Sequence, residues 1–469
     1  MSKATETGRN PKLAILILAA GKGKRMKSDI PKVLHEICGF ALVGYVLEAV
    51  EPLRGQVRVI VGNGASEVER AVGSECLCVL QAEQRGTGHA VMVGLEGLDP
   101  GVDEVLVLAG DAPLVTAATL ESMVEARREA GAAASMMTAT IEDPRSYGRI
   151  VRREGGAVEA IVEEADATAE QRGICEVNSC TYVFEREALE RGLEALTTNN
   201  AQGEYYLTDV VKGFASVGAP VVTVAGTAEE VLGVNDREQL ALACSIMRRR
   251  ISSRLMAEGV SIVDPSNTYI DHGVSVASGT VVMPMVFITG ESSIGENCTI
   301  GPCTSINDTS VADDCSIQFS TVDGCEIMSG ANVGPFSRLR PGCRLGPESK
   351  AGSFVEMKKT NVGRGSKVPH LSYMGDTTIG EGANVGAGSI TCNYDGVNKF
   401  PTTIGDGAFI GSDTMLVAPV NIGKDSVTGA GSVITSDVPD GSLGIERTEQ
   451  KIIPDYGKRR KKGNKDKGK

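Results

Sequence analysis

Ile270-Asp-His-Gly-Val-Ser-Val276-Ala-Ser-Gly-Thr-Val-Val282-Met-Pro-Met-Val-Phe-Ile288 decides the fold of the second half of this chain. An aliphatic residue stands at every sixth position, and Ile294, Ile300 and Ile306 continue the series. The spacing returns in Val333, Leu339 and Leu345, and again in Ile404, Ile410, Leu416, Ile422, Thr428 and Ile434. A period of six fits neither a helix nor a lone strand. It fits a solenoid in which each short strand turns a corner and gives one side chain to the interior. Glycine often follows the aliphatic residue (Gly295, Gly301, Gly334, Gly346, Gly405, Gly411, Gly423), which predicts corners with open backbone geometry. The series slips between Ile306 and Val311, read as a loose corner, and breaks sharply between Val385 and Ile404.

With 469 residues the chain has room for about two to four domains. A net charge of -13 argues against general nucleic-acid binding. The 57 glycines and the lack of Trp suit a glycine-punctuated solenoid better than a bundle. Twelve cysteines are scattered without paired C-x-x-C sets, and only Cys76 and Cys78 stand close together. Such usage predicts reduced thiols packed as small apolar groups, not a disulfide frame or a zinc site. The first apolar run, Leu13–Ala20, is too short to span a bilayer and does not read as a signal peptide. The chain is expected to be soluble and cytoplasmic.

Residues 1–12 read as a loose tail. Leu13–Ala20 reads as a buried strand. Further strands at Val57–Val61, Val105–Ala109 and Val221–Ala225 alternate with helical patterns at Leu42–Val50 and Leu120–Ala130, which predicts a βαβ sheet over 1–235. Leu240, Cys244, Met247, Ile251 and Leu255 recur at spacings of three and four, which predicts a linker helix over 236–259 capped by Gly259. The solenoid domain covers 260–455. Residues 456–469, with Lys458-Arg-Arg-Lys-Lys462, read as a basic disordered tail.

Gly21-Lys-Gly-Lys-Arg-Met26 follows the first strand directly. A glycine loop there can turn backbone N–H groups toward phosphates. No Gly-Lys-Ser/Thr closes it, so it is not a Walker loop, and Met26 stands where a dinucleotide fingerprint has its third Gly. Alone the loop is equally a tight turn. Lys22, Lys24, Arg25, Lys27 and Lys32, crowded into an acidic chain, point to an anion.

Leu18-Ala-Ala-Gly-Lys-Gly-x-Arg-Met26, followed by Pro31-Lys32-Val-Leu, resembles the signature of sugar-nucleotide pyrophosphorylases. Gln81-Ala-Glu-Gln-Arg-Gly-Thr-Gly-His89, Ala109-Gly-Asp-Ala-Pro-Leu114, Tyr147-Gly-Arg149, Ile161-Val-Glu-Glu164, Glu176-Val-Asn178 and Gly233-Val-Asn235 extend the match in order. With the solenoid, all but the tails resembles the bacterial bifunctional family that joins N-acetylglucosamine-1-phosphate uridyltransferase to glucosamine-1-phosphate acetyltransferase. The resemblance implies a Rossmann-like α/β nucleotidyltransferase domain, then an all-β left-handed parallel β-helix. It implies cytoplasmic homotrimers that supply cell-wall precursor, with acetyl-transfer sites between subunits.

In the first domain the resemblance places UTP and sugar phosphate on Leu18, Ala19, Ala20, Gly21 and Lys32. Gln81, Gly86 and Thr87 would read uracil, and Gly148, Glu163 and Asn178 would hold the acetylated sugar. Asp111 and Asn235 would hold Mg²⁺, a set of hard oxygens suited to that ion. Asp111 ends an apolar strand, where open α/β sheets bind ligands, yet it also suits a turn before Pro113; Asn235 also suits a helix N-cap. Arg25 and Lys32 would brace the phosphates, since phosphoryl transfer asks mainly for positioning and cations. The family usually has Thr where Lys24 stands and Gly where Cys180 stands.

In the solenoid, three hexads make an 18-residue coil, so Arg340 and Lys358 stack outside the interior Leu339 and Met357. Stacked like charges either splay into solvent or share an anion. Arg338, Lys359, Arg364 and Lys367 enlarge the basic patch. His370, one of four His, stands nearby and suits the task of taking an amine proton. The resemblance gives His370 that task, puts the amino-sugar phosphate on Arg340, Lys358, Tyr373 and Asn384, and puts acetyl-CoA on Ala387, Asn393, Tyr394, Ser412, Ala430 and Arg447. Asn393 and Tyr394 lie in the break of the ladder. Two other readings stay open: a single-activity nucleotidyltransferase with a structural or effector-sensing solenoid, and a scaffold with decayed sites. His370, Lys358 and the Asn393 loop speak against the first; Arg25, Lys32, Asp111 and Asn235 speak against the second.

Overall fold

The computed structural model describes residues 10, 12–74 and 76–463, so most of the expected N-terminal tail lies outside them. The chain forms two compact units, one reaching Ile251 and the other beginning at Ser252.

Leu13–Leu18 lies inside the sheet of the first unit because both its faces are apolar. Leu13, Ile15 and Ile17 join one core with the helices Leu42–Val50 and Ala117–Ala130. Ala14 and Leu16 join the other with Thr87–Leu95, Arg186–Glu194 and Thr208–Ser216. The strands run in the order Val221–Ala225, Ala134–Thr140, Glu176–Glu185, Glu104–Ala109, Leu13–Leu18, Gln56–Val61, Leu77–Leu80. Glu176–Glu185 is antiparallel to both its neighbours. Leu13–Leu18 and Glu104–Ala109 pair in parallel, so the loops carrying Gly21 and Asp111 leave the same edge.

The expected linker is helical over Arg237–Ala257 and is no free spacer. Arg237 donates to the Met26 carbonyl (3.3 Å), and Arg250 donates to the Leu114 carbonyl (2.8 Å). Gly259 ends the helix with φ +95°.

The second unit is a left-handed parallel β-helix with three sheets of 11, 10 and 9 strands. The hexad aliphatics point inward: Val282, Ile288, Ile300, Ile306, Leu339, Ile410 and Leu416 are fully buried. Cys298, Cys315, Cys325 and Cys343 are buried among them as small apolar groups. Leu339 pairs with Met357, so Arg340 and Lys358 leave adjacent coils at the same position. Ile306 pairs with Val322 rather than with a residue 18 further on. The slip at Ile306–Val311 is therefore a shortened corner, not a loose one. Its Thr309 is buried and donates to the Asn307 carbonyl (2.7 Å).

The glycine reading needs correction. Gly301 and Gly334 take positive φ, but the other ladder glycines do not. They are required by close approach: a Cβ on Gly346 would meet the Val362 carbonyl oxygen at 2.7 Å. Much of the left-handed corner backbone is carried instead by Met285, Cys303, Phe319, Phe336, Phe354 and Leu371. Phe319, Phe336 and Phe354 form an exposed file, with ring centroids 5.6 and 5.2 Å apart.

The expected disordered tail is also corrected in part, because Tyr456–Gly463 is helical. Asp455 accepts from the Lys458 N–H (3.0 Å) and pairs with its ammonium (2.7 Å), a local start for residues of good helix propensity. Residues 464–469 lie outside the described residues.

Met357 is fully buried beneath Lys358. Met357→Ala is expected to lower stability by about 2–5 kcal/mol, read by denaturant melts of the full chain. In a solenoid each coil contacts mainly its neighbours, so chemistry on this unit should weaken while chemistry on the first unit is spared.

Candidate active sites

In the first unit the glycine loop, the end of Glu104–Ala109 and the approach to the long helix converge. They enclose a cavity of about 700 Å³ lined by Leu18, Ala19, Ala20, Gly21, Lys24, Arg25, Lys32, Gln81, Gly86, Thr87, Asp111, Cys180 and Asn235. Lys32 is the electrostatic centre. Its ammonium is paired with the Asp111 carboxylate and donates to the Asn235 side-chain carbonyl (3.1 Å). Carboxylate and amide oxygen thus reach one cationic point. The Val234 N–H donates to the Asp111 carbonyl (2.9 Å), which ties the two loops together. These oxygens fit a small hard cation with room for water and phosphate.

Gln81 is buried, and its amide nitrogen approaches the Gly86 carbonyl (3.3 Å) and His89 Nδ1 (3.0 Å). Gly86 has φ +106°, and a Cβ there would meet the Tyr205 carbonyl oxygen at 2.5 Å. No other residue fits this helix entry. The Thr87 hydroxyl accepts from the Leu207 N–H (3.1 Å).

Gly148, Glu163 and Asn178 do not line that cavity; they meet beside it, at Cys180. A Cβ on Gly148 would touch Asn178 Cβ and Glu163 Oε2, each at 3.5 Å. The Asn178 carbonyl oxygen accepts from the Tyr182 hydroxyl (2.9 Å), and its amide nitrogen lies 3.6 Å from Cys180 Sγ. Cys180 has φ +58° where strand register shifts between Asn178 and Tyr182. It opens onto the cleft yet is closely surrounded. Burial, with Glu163 and Asp111 adding to it, pushes the thiol up to about 12, so it stays protonated at neutral pH.

Burial likewise raises the Glu163 carboxyl; a hydrogen bond from Thr208 opposes this, and Asp166 and Asp209 add to it. A raised carboxyl contributes most to stability below its unfolded value, and that contribution is lost as pH rises through the folded value. Glu163→Gln is therefore expected to melt at higher temperature at pH 7 and to flatten the fall in Tm with rising pH. With Glu163 in the sugar-holding role that the resemblance implies, the same change should raise KM for the sugar phosphate roughly tenfold or more, the loss expected for a charged hydrogen bond.

On the β-helix, the second site straddles one corner. His370 ends the strand Lys367–His370, and Tyr373 begins the next strand beyond that corner. His370 is exposed. Asn384 lies on the same sheet as His370 and pairs with Lys367. Lys358 lies on the sheet of Tyr373, one coil back, its ammonium 3.6 Å from Asp376. Arg340 pairs with Glu356 (3.2 Å). Lys367 begins the strand of His370, on the sheet across the corner from Lys358, while Arg364 follows the strand Asn361–Val362 of the third sheet and pairs with Glu348 (3.5 Å).

The corner positions continue upward from His370. The Gly388 N–H approaches the His370 carbonyl (3.4 Å), the Asp413 N–H donates to Ala387 (2.7 Å), and the Gly431 N–H donates to Ser412 (2.8 Å). Arg447 donates to the Ala430 carbonyl (3.1 Å). Ala387, Ser412 and Ala430 thus form one file above His370. The ladder break is a closed loop in which Tyr394 bridges Lys399 and the Phe400 N–H donates to Asn393 (2.9 Å). Asn393 is buried, while Tyr394 and Val397 are exposed.

Sequence reasoning missed Asp376 and Lys399. The Lys399 ammonium lies against that of Lys358, which lowers its pKa. No motif or period marks either residue, since the loop brings Lys399 back over a register break.

The class is thus a nucleotidyltransferase domain joined to a hexapeptide-repeat transferase domain. A MobA-like NTP transferase domain matches residues 15–154, and a bacterial transferase hexapeptide of six repeats matches 401–436. The bifunctional protein GlmU of Heliobacterium modesticaldum is 47% identical over 455 residues, covering 97% of this chain and 99% of that protein. That of Carboxydothermus hydrogenoformans is 46% identical, covering 94% and 99%. The chain belongs to the bifunctional GlmU family of enzymes.

Proposed function

We propose that the protein acetylates glucosamine-1-phosphate with acetyl-CoA on its β-helix, then couples the product to UTP in its first unit, releasing pyrophosphate and UDP-N-acetylglucosamine. The observation that carries the proposal is a cluster of converging charged and polar groups on each unit, over a full-length likeness to bifunctional relatives.

In acetyl transfer, the amine attacks the thioester carbonyl, the C–S bond breaks and CoA leaves. His370 takes the amine proton as the new C–N bond forms. Arg340 and Lys358 hold the phosphate, with Tyr373 and Asn384 on the sugar. Ala387, Ser412, Ala430 and Arg447 offer the corner to acetyl-CoA, and Asn393 and Tyr394 close the loop side. The exposed Tyr394 and Val397 support a neighbouring subunit that covers this loop, as in a homotrimer.

In uridylyl transfer, an oxygen of the sugar phosphate attacks the α-phosphorus of UTP and the bond to pyrophosphate breaks. Arg25 and Lys32 brace the phosphates on the loop Leu18–Gly21, while Gln81, Gly86 and Thr87 seat uracil. Gly148, Glu163 and Asn178 orient the acetylated sugar. Asp111 and Asn235 fit Mg²⁺, which supplies positive charge at the phosphates. Lys32 turns from Asp111 toward phosphate when substrate arrives. No helix among the described residues is long and apolar enough to cross a membrane. We place the enzyme in the cytoplasm, as a supplier of cell-wall precursor.

The test is to measure CoA release from glucosamine-1-phosphate and acetyl-CoA, and pyrophosphate release from UTP and N-acetylglucosamine-1-phosphate, with the same purified chain. Both are expected. If CoA release were absent, the single-activity reading with a structural β-helix would replace this one.

A further inference from the structure

The loop that interrupts the ladder is fastened at both ends to one residue. Asp376 has φ +50° and follows the strand Tyr373–Gly375. Its N–H donates to the Lys358 carbonyl (2.9 Å), and its carbonyl accepts from the Thr402 N–H (3.2 Å), where the loop rejoins the ladder. Its carboxylate accepts from Asn393 Nδ2 (2.6 Å), where the loop departs, and lies 3.6 Å from the Lys358 ammonium. Phe400 closes the loop onto Asn393 from within. We infer that Asp376 is a positioning residue for acetyl transfer: it clamps both ends of the 393–402 loop to the strand bearing Lys358, and so presets the loop for acetyl-CoA. The inference rests on the proposed roles of Asn393 and Lys358.

Two features single out Asp376. The acceptor must be short and must tolerate left-handed backbone, which Asp does at little cost. A neutral acceptor would serve Asn393 equally well, so the negative charge answers to Lys358, which would otherwise face Lys399 without an anion beside it. The amide and the ammonium are thus held on one carboxylate before substrate arrives.

The test uses the full chain in three variants of Asp376, with Asn393→Ala beside them. Asp376→Ala and Asp376→Gly both remove the carboxylate, but only Ala adds left-handed strain. Asp376→Asn keeps an acceptor for Asn393. Both truncations are expected to raise KM for acetyl-CoA roughly tenfold or more. Uridylyl transfer should stay unchanged, because it is carried by the other unit. Asp376→Asn should keep KM for acetyl-CoA within about twofold of the parent. Hydrogen exchange of the amides of 394–400, measured without ligand, should speed up in the Ala and Gly variants and not in Asn. If only the Ala variant were impaired, or if loop exchange stayed at the parent rate in both truncations, the clamp would be wrong. If loop exchange speeds up but neither Asn393→Ala nor the truncations move KM for acetyl-CoA, the clamp stands and the loop's role in coenzyme binding fails.

Discussion

His370→Ala should lower kcat for acetyl transfer by about 10² to 10⁴, the span a general base contributes, while uridylyl transfer stays at the parent rate. The expectation follows from where His370 sits. It ends a strand at the corner below the file of Ala387, Ser412 and Ala430, with Tyr373 just beyond the same corner. Its side chain is exposed, so truncation removes no core packing. Melting should therefore be unchanged, and loss of rate can be read as loss of chemistry. An amine attacking a thioester must shed a proton, and His370 is the acceptor proposed for it. Acetyl transfer within about threefold of the parent would remove His370 from the role.

Asp111→Ala should lower kcat/KM for uridylyl transfer by about 10³ or more, with acetyl transfer intact. Two losses combine. One of two oxygens at the cation point disappears, and Lys32 loses its carboxylate partner. Lys32 and Asp111 are largely shielded, with side chains 17% and 11% exposed. A partner removed from such a pair leaves a poorly solvated charge, and a stability cost of about 1–3 kcal/mol is expected without ligand. Asp111→Asn should recover part of that stability but little of the rate, because an amide supplies an oxygen without a charge. Raising Mg²⁺ should narrow the kinetic gap only slightly. Uridylyl transfer near the parent level would overturn the role of Asp111.

Much of this was legible because the physics is local. The hexad aliphatics, from Ile270 to Ile434, are buried as the period requires, and the register that sets Arg340 over Lys358 could be counted directly. The glycine loop was legible as the wall of a candidate anion site: of its five cations, Lys22, Lys24, Arg25 and Lys32 line the cleft, while Lys27 does not. The break after Val385 was legible as a lost period, though not as the closed loop that Asp376 fastens. What escaped depends on contacts between coils. Gly346 was expected to mark a corner with open backbone geometry, but its missing side chain makes room for the Val362 carbonyl oxygen. Phe336 and Phe354 carry the left-handed corners that glycine was expected to fill. The helix Tyr456–Gly463 escaped because charge density suggested disorder, whereas Asp455 gives that segment a local start.

Coil length has a consequence of its own. Leu339 pairs 18 residues on with Met357, Met357 pairs 17 on with Met374, and Ile379 pairs 25 on with Ile404, yet all three sheets continue through the loop. The ladder fixes where each rung lies and is indifferent to how much chain travels between rungs. Lengthening a closed loop adds only about 0.6 kcal/mol per doubling. Each corner is therefore a place where evolution can insert a new reach of chain without repacking the interior, and the 393–402 loop shows one such insertion beside the proposed acetyl-transfer site.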